Sequence, residues 1–204
     1  MVSQVYNSQC KTIVIATRNK GKLREFRSIL ADGYDEILSL ADFDEVPEIR
    51  ETGLSFRENA FIKAKTTSDF LGMDAIGDDS GLVVDALGGA PGIYSARYAG
   101  EGSSDNENNE KLLYELKGEK NRNARFVCCI ALVLAGGTQE FFEGECHGQI
   151  IQEKRGQSGF GYDPVFYVSQ YGKTMAELGP DIKNRISHRA IASEKLLSYF
   201  SNFK

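Results

Sequence analysis

Four carboxylates could bring a metal and a phosphate together: Glu48 and Glu51 ahead of one predicted helix, and the adjacent Asp78 and Asp79 in "GDDSG". Mg2+ takes one or two protein carboxylates and completes its shell with water and substrate phosphate oxygens, so a site built from separated segments is chemically reasonable. Adjacent strand residues face opposite ways, and Asp78 and Asp79 are therefore expected to serve different atoms. The competing reading makes both of them turn acids ahead of Ser80 and Gly81.

"TRNKGK", Thr17 to Lys22, falls where a strand ends and a helix begins. Free backbone amides, the Asn19 side chain and two lysines could surround an anion there. The alternative is a solvated basic turn in which Asn19 only caps the helix. The stretch does not fit GxxxxGK[ST], and no GxGxxG follows a strand, so neither a P-loop NTPase nor a Rossmann dinucleotide domain is supported. Asn59 and Lys63, spaced i, i+4, share a helix face, from which the lysine could reach a phosphate or merely snorkel over apolar neighbours. In "SGFGYDPVF" the rings of Phe160 and Tyr162 beside Asp163 suit a planar base with an N–H donor. The same stretch also reads as a turn before a strand. "KNRISHRA" places His188 and Arg189 in the first turn of the last helix, where they could donate to base carbonyls or simply cap the surface. Neither His147 nor His188 lies near a GxSxG or another nucleophile signature, which argues against a serine or cysteine hydrolase.

These residues need elements to hold them. "KTIVIA" reads as a strand, and Leu23, Phe26 and Leu30 recur at helical spacing after it. "EILSL" supplies a second strand. A helix follows from a Ser55/Glu58 capping box to a stop at Gly72, with Phe56, Ala60, Ala64 and Leu71 on its expected buried face. "AIGDD" and "LVVDA" read as two short strands. Ser104 and Glu107 open a third helix that ends near Gly118. "RFVCCIALVLA" and "TQEFFEGECHGQI" form a long hairpin turning at Gly136 and Gly137. Ile191, Leu196, Phe200 and Phe203 approximate one apolar face of a C-terminal helix. Helices alternating with strands, then longer strands after residue 120, make the class α/β.

A chain of 204 residues with 41% hydrophobic and 26% charged residues fits one large globular unit. No apolar run approaches the roughly 20 residues of a membrane span, so no membrane partner is expected. The first residues lack the basic region and apolar stretch of a secretory signal, which makes the cytoplasm the expected location. A formal charge of -5 argues against generic nucleic-acid binding. Cys10, Cys128, Cys129 and Cys146 form no CxxC pair, and with only two histidines structural zinc is not expected.

Taken in order, "TRNKGK", "ETGLSFRENAFIKAK", "DDSGLVVDALGGAPGIYSARYAGE", "SGFGYDPVF" and "KNRISHRA" resemble the inosine/xanthosine triphosphate pyrophosphatase family across nearly the whole chain. The resemblance implies Mg2+-dependent hydrolysis of non-canonical purine triphosphates (ITP, dITP, XTP) to the monophosphate and pyrophosphate. It implies a cytosolic homodimer of single-domain chains, here residues 1–204, with 1–10 as a loosely ordered extension. It also implies an elongated mixed sheet with flanking helices and two lobes around a central cleft. Thr17, Asn19 and Lys22 would bind the triphosphate, supported by Ser80 and Lys63. Glu51 and Asp79 would hold the metal, and Asp79 would be the proton acceptor. Phe160, Gly161, Tyr162, Asp163, Lys183, His188 and Arg189 would line the base site. The Cys128–Cys129 pair is expected to be incidental.

For base selection, Arg189 or His188 would donate to O6 and Asp163 would accept from N1–H, a pattern opposed by adenine. Two alternatives stay open: a nucleotide pyrophosphatase for another modified triphosphate, and a non-catalytic nucleotide-sensing module. The presence of both Glu51 and Asp79 weighs against the second.

Overall fold

β1 (Thr12–Ile15) is a β-branched run whose last three residues are fully buried. The computed structural model describes residues 11–31, 34–44 and 46–201; Cys10, Phe203 and the expected N-terminal extension lie outside them. After β1 comes α1 (Lys20–Leu30), which buries Phe26 and Leu30, and then β2 (Glu36–Ser39), parallel to β1. A short 3-10 turn and an extended segment lead to α2 (Phe56–Leu71). Ser55 caps α2 by accepting from the Glu58 amide, and Gly72 ends it at φ 66°, a left-handed conformation suited to glycine. The Glu58 carboxylate reaches the Leu54 amide rather than that of Ser55, so the expected box is offset by one residue.

β3 (Ala75–Val84) is one ten-residue strand, not the two short strands read from "AIGDD" and "LVVDA". The acids do not break it because cations from helices on both faces meet their carboxylates. α3 (Asp105–Glu115) opens on the reciprocal Ser104/Glu107 capping box. The hairpin of β4 (Asn123–Val133) and β5 (Gln139–Ile150) then extends the sheet. β6 (Phe166–Val168), β7 (Lys173–Thr174), α4 (Pro180–Ile186) and α5 (His188–Ser201) complete the fold. Leu196 is buried in α5, with Ile191 and Phe200 partly so.

The sheet order is β2-β1-β3-β4-β5-β6-β7. β1 pairs in parallel with β2 and β3, and every later pairing is antiparallel. Chain order therefore reverses at β1, and the crevice beyond the carboxyl end of that strand is where open α/β sheets bind ligands. Register places the acids there: β3 leaves β1 at Ile15↔Ile76 and runs on, so Asp78 to Ser80 stand just past the end of β1. On the side that β1 vacates, β3 meets the glycine-rich segment, through a Val83↔Pro91 bridge and a Leu82 amide donating to Ser95 Oγ at 2.9 Å.

Two apolar layers sandwich this part of the sheet. Ile13, Ile15, Phe26, Ile76, Cys128 and Leu196 join on the α1/α5 face, while Ala60, Ala64, Cys129 and Ala131 join on the α2 face. A third cluster, including Leu82, Leu112, Phe126, Tyr162 and Phe166, forms the second lobe beneath α3. Among the described residues no helix is long and apolar enough to cross a membrane.

Candidate active site

Strand alternation sends the two acids to opposite faces of β3. Asp78 turns toward α1 and α5. Its Oδ2 meets Lys22 Nζ at 2.7 Å and an Arg189 terminal nitrogen at 3.1 Å, and its Oδ1 accepts from Cys128 Sγ at 2.9 Å. Arg189 also donates to Ser80 Oγ at 3.0 Å and to Glu25, and it is 1% exposed. Burial opposes ionisation of Asp78, but the charges of Arg189 and Lys22 outweigh it and hold the carboxyl well below the usual carboxylate range.

Asp79 turns toward α2. Its Oδ1 lies 3.2 Å from Lys63 Nζ, whose ammonium also meets Glu51 Oε1 at 2.6 Å. Burial pushes the Asp79 carboxyl above its ordinary value, with Glu51 and Asp78 adding to the shift and Lys63 and Lys22 opposing it. Burial also opposes the charge on Lys63, yet Asp79 and Glu51 more than compensate and its pKa is raised. This face of α2 is more polar than its pattern indicates: Asn59, Lys63, Thr67 and Ser68 are buried beside Ala60 and Ala64, while Phe56 and Leu71 are only partly covered. Asn59 and Lys63 both meet Asp79, whereas the buried Thr67 Oγ1 has no hydrogen-bond partner among the described residues.

At the start of α1, the Asn19 side-chain oxygen accepts from the Gly21 and Lys22 amides, at 2.8 and 3.1 Å, so Asn19 is the helix cap. Thr17 Oγ1 accepts from the Asn19 amide at 3.1 Å. Lys22, one turn in, reaches down to Asp78.

The loop of residues 160–163 is held by α3: Asp105 accepts from the Gly161 amide at 2.7 Å, and Asn109 donates to the Gly161 carbonyl at 2.8 Å. Tyr162 is buried and donates to the Ser95 carbonyl at 2.8 Å. Asp163 Oδ2 receives Lys183 Nζ at 2.7 Å and the Phe160 amide at 3.2 Å. Burial raises the Asp163 carboxyl even so, against the pull of Lys183. Gly159, at φ 88°, leaves room for this pair, since a Cβ there would lie 2.0 Å from Asp163 Oδ2. The Phe160 ring closes over the α1 turn, with its Cδ1 3.0 Å from where a Cβ on Gly21 would sit. His188 stacks on Phe126 with ring centroids 4.9 Å apart, and its buried Nδ1 has no hydrogen-bond partner among the described residues.

One cavity of about 560 Å3 is lined by Thr17, Asn19, Lys22, Glu51, Lys63, Asp79 and Ser80 together with Phe160 to Asp163, Lys183, His188 and Arg189. All the site residues read from the sequence are thus brought to one space, whose volume suits a nucleotide-sized ligand. Asp78 is not among them. Exposed Glu48 lines the cavity as well. As a metal site, Glu51 and Asp79 offer hard oxygens already converging on one cation, the Lys63 ammonium. Two such carboxylates fit Mg2+, which fills its remaining positions with water and phosphate oxygens.

Sequence reading missed Glu25 and Cys128 as partners of this network, and it took Cys128 as incidental. Cys128 pairs with Ser80 across β3 and β4, so it shares a face with Asp78. Strand alternation carries that signal only once the hairpin register is known. Arg97, Asp105 and Asn108 also line the cavity. The three described cysteines are buried free thiols.

Opposed acids at a switch point, cations from both faces and an aromatic-edged pocket define an α/β protein with a cleft for an anionic ligand bearing a flat ring. Residues 13–199 match the sequence model of the Ham1 family, and the chain belongs to that family. A dITP/XTP pyrophosphatase of Desulfotalea psychrophila is 54% identical over 180 residues, covering 88% of this chain and 81% of that protein. Another dITP/XTP pyrophosphatase, from Geobacillus kaustophilus, is 53% identical over 188 residues, covering 91% of this chain and 92% of its own. The structure of the Staphylococcus aureus Ham1 protein matches with a TM-score of 0.86 at 42% identity, covering 95% of this chain and 100% of that chain.

Proposed function

We propose that this protein hydrolyses non-canonical purine nucleoside triphosphates (dITP, ITP, XTP) to the monophosphate and pyrophosphate. The observation that carries the reading is that Glu51 and Asp79 converge on one cation position, in a cavity whose other end presents Phe160 beside the Asp163–Lys183 pair. The names of the relatives support the substrate class.

Glu51 and Asp79 would hold Mg2+, which when bound supplies charge neutralisation for the departing pyrophosphate. Asp79 orients the attacking water toward the α-phosphorus and accepts its proton as the general base. Lys22 and Lys63 offset charge on the phosphates. Thr17, Asn19 and Ser80 position the chain of phosphates, with Asn19 keeping the α1 turn in shape. No protein nucleophile takes part, consistent with the absence of a Ser–His or Cys–His pair from the site residues.

At the base end, Phe160 offers a ring face, Asp163 an acceptor for N1–H, and Lys183 or His188 a partner for O6. Arg189, whose two terminal nitrogens are tied to Glu25, Asp78 and Ser80, braces this end, and its buried Nε has no hydrogen-bond partner among the described residues. The protein acts as a single-domain, cytoplasmic homodimer on the nucleotide pool. Incubation with Mg2+ and a panel of triphosphates tests the reading: ITP must give IMP and pyrophosphate, whereas orthophosphate with a diphosphate, or no turnover, overturns it.

A further inference from the structure

Asn59 is 1% exposed, carries no charge and does not line the cavity. Yet its carboxamide touches both halves of the site. Oδ1 accepts from the Gly53 amide at 2.8 Å, and Nδ2 donates to Asp79 Oδ2 at 3.2 Å. The orientation is fixed chemically: a backbone amide can only donate, so the carbonyl end must face Gly53 and the NH2 end must face Asp79.

We infer that Asn59 is a positioning residue that joins the Glu51-bearing segment to Asp79 and decides which Asp79 oxygen is presented to the reaction. With Oδ2 committed to Asn59, Oδ1 is the oxygen turned toward Lys63 and Glu51. Gly53, two residues after Glu51, sits so close that a Cβ on it would lie 2.7 Å from Asn59 Oδ1 and 2.6 Å from Glu58 Cβ. Glycine at 53 therefore permits the contact, and the contact sets where Glu51 leaves for the cavity. The backbone amide of Asn59 is bonded to the Ser55 carbonyl in the first turn of α2, so the joint is as rigid as the helix.

No other common side chain does both tasks at this length. Aspartate keeps the acceptor for Gly53 but turns an oxygen against Asp79 Oδ2. Alanine keeps neither bond. Outer partners of metal-binding carboxylates are typically worth 10–100-fold in metal affinity or activity.

The inference rests on the pyrophosphatase reading, and the test separates the two. Turnover of ITP, Mn2+ binding followed by electron paramagnetic resonance, and hydrogen exchange at the Gly53 amide are measured for wild type, Asn59→Asp and Asn59→Ala. Asn59→Asp is expected to keep Gly53 protected, to leave KM within a few fold, and to lose about 10–100-fold in kcat. Asn59→Ala is expected to lose Gly53 protection and about 10–100-fold in Mn2+ affinity. Asn59→Asp with wild-type kcat, or Asn59→Ala with wild-type Mn2+ affinity, overturns the role of Asn59. If wild type releases no pyrophosphate, the functional reading fails, and the Mn2+ and exchange data still decide whether Asn59 joins the two segments.

Discussion

Asp78 and Arg189 form an ion pair, 3.1 Å apart, in which neither side chain is more than 1% exposed. It lies on the face of β3 opposite Asp79. Breaking a buried pair by removing one charge costs about 3–5 kcal/mol, because the partner is left uncompensated. Asp78→Asn is therefore expected to lower stability by about that amount, in chemical denaturation, while the folded fraction keeps measurable turnover. Asp79→Asn should do the reverse, abolishing turnover with nucleotide binding largely preserved. Equal catalytic loss in both folded variants would contradict this division.

A second expectation concerns base choice. Asp163→Asn keeps an acceptor for the Phe160 amide but removes the charge that holds Lys183. The preference for ITP over ATP should fall by at least about 10-fold, since a site loses most discrimination when its polar partners no longer match. Ratios of kcat/KM for the two nucleotides provide the check, and an unchanged ratio would remove Asp163 from the base contact. Arg189→Ala is the poorer probe because the guanidinium braces Glu25, Asp78 and Ser80.

Gly77 offers a purely steric test. A Cβ there would lie 2.0 Å from the Ala60 carbonyl oxygen and 2.7 Å from the Ala64 amide, so α2 rests directly on the strand backbone. Gly77→Ala should cost about 1–3 kcal/mol by overpacking and should lower kcat as Asn59 and Lys63 are displaced from Asp79. Thermal melting and steady-state kinetics would register the two effects separately.

Burial, with the Arg189 guanidinium adding to it, holds the His188 imidazole well below its ordinary 6.5. His188 lines the cavity as a half-buried residue, and its Nδ1 is enclosed. As pH falls below 6.5 the unfolded chain takes up a proton that the folded chain refuses, so the stability from neutral His188, complete above 6.5, is lost progressively toward the lower folded value. The contribution has a limiting slope of about 1.4 kcal/mol per pH unit. His188→Gln should flatten denaturation midpoints between pH 6.5 and 5; an unchanged slope would show that the imidazole protonates freely in the fold.

Much of this was legible from residue types in order. The caps at Asn19, Ser55 and Ser104, the Gly72 stop and the β4–β5 hairpin follow from local chemistry, which short-range bonding enforces. In isolation "DDSG" is turn-like, so residue order predicts two strands where the fold has the single strand β3. It becomes a strand only when Lys22, Lys63 and Arg189, 16 to 111 residues from the aspartates they meet, neutralise it. The contacts of Cys128 and Glu25 are silent in the sequence for the same reason: they depend on register and on helix placement, which no local pattern states. Helical spacing alone puts Asn59 on the Lys63 face of α2, but its link to Gly53 depends on the path of the intervening chain.

The glycine-rich segment acquires a purpose from the way β3 outlasts β1. Past Ile76 the strand would present unpaired amides and carbonyls, the sticky margin through which sheets recruit foreign strands. Pro91, Ala90 and Ser95 occupy that margin: Pro91 bridges Val83, the Ala90 carbonyl takes the Val84 amide at 3.2 Å, and Ser95 takes that of Leu82. Proline, which has no amide to offer the next strand, seals the outer side. The segment thus keeps an open end of the sheet available to a small ligand while denying it to a further strand, and its loss would show first as association beyond the dimer.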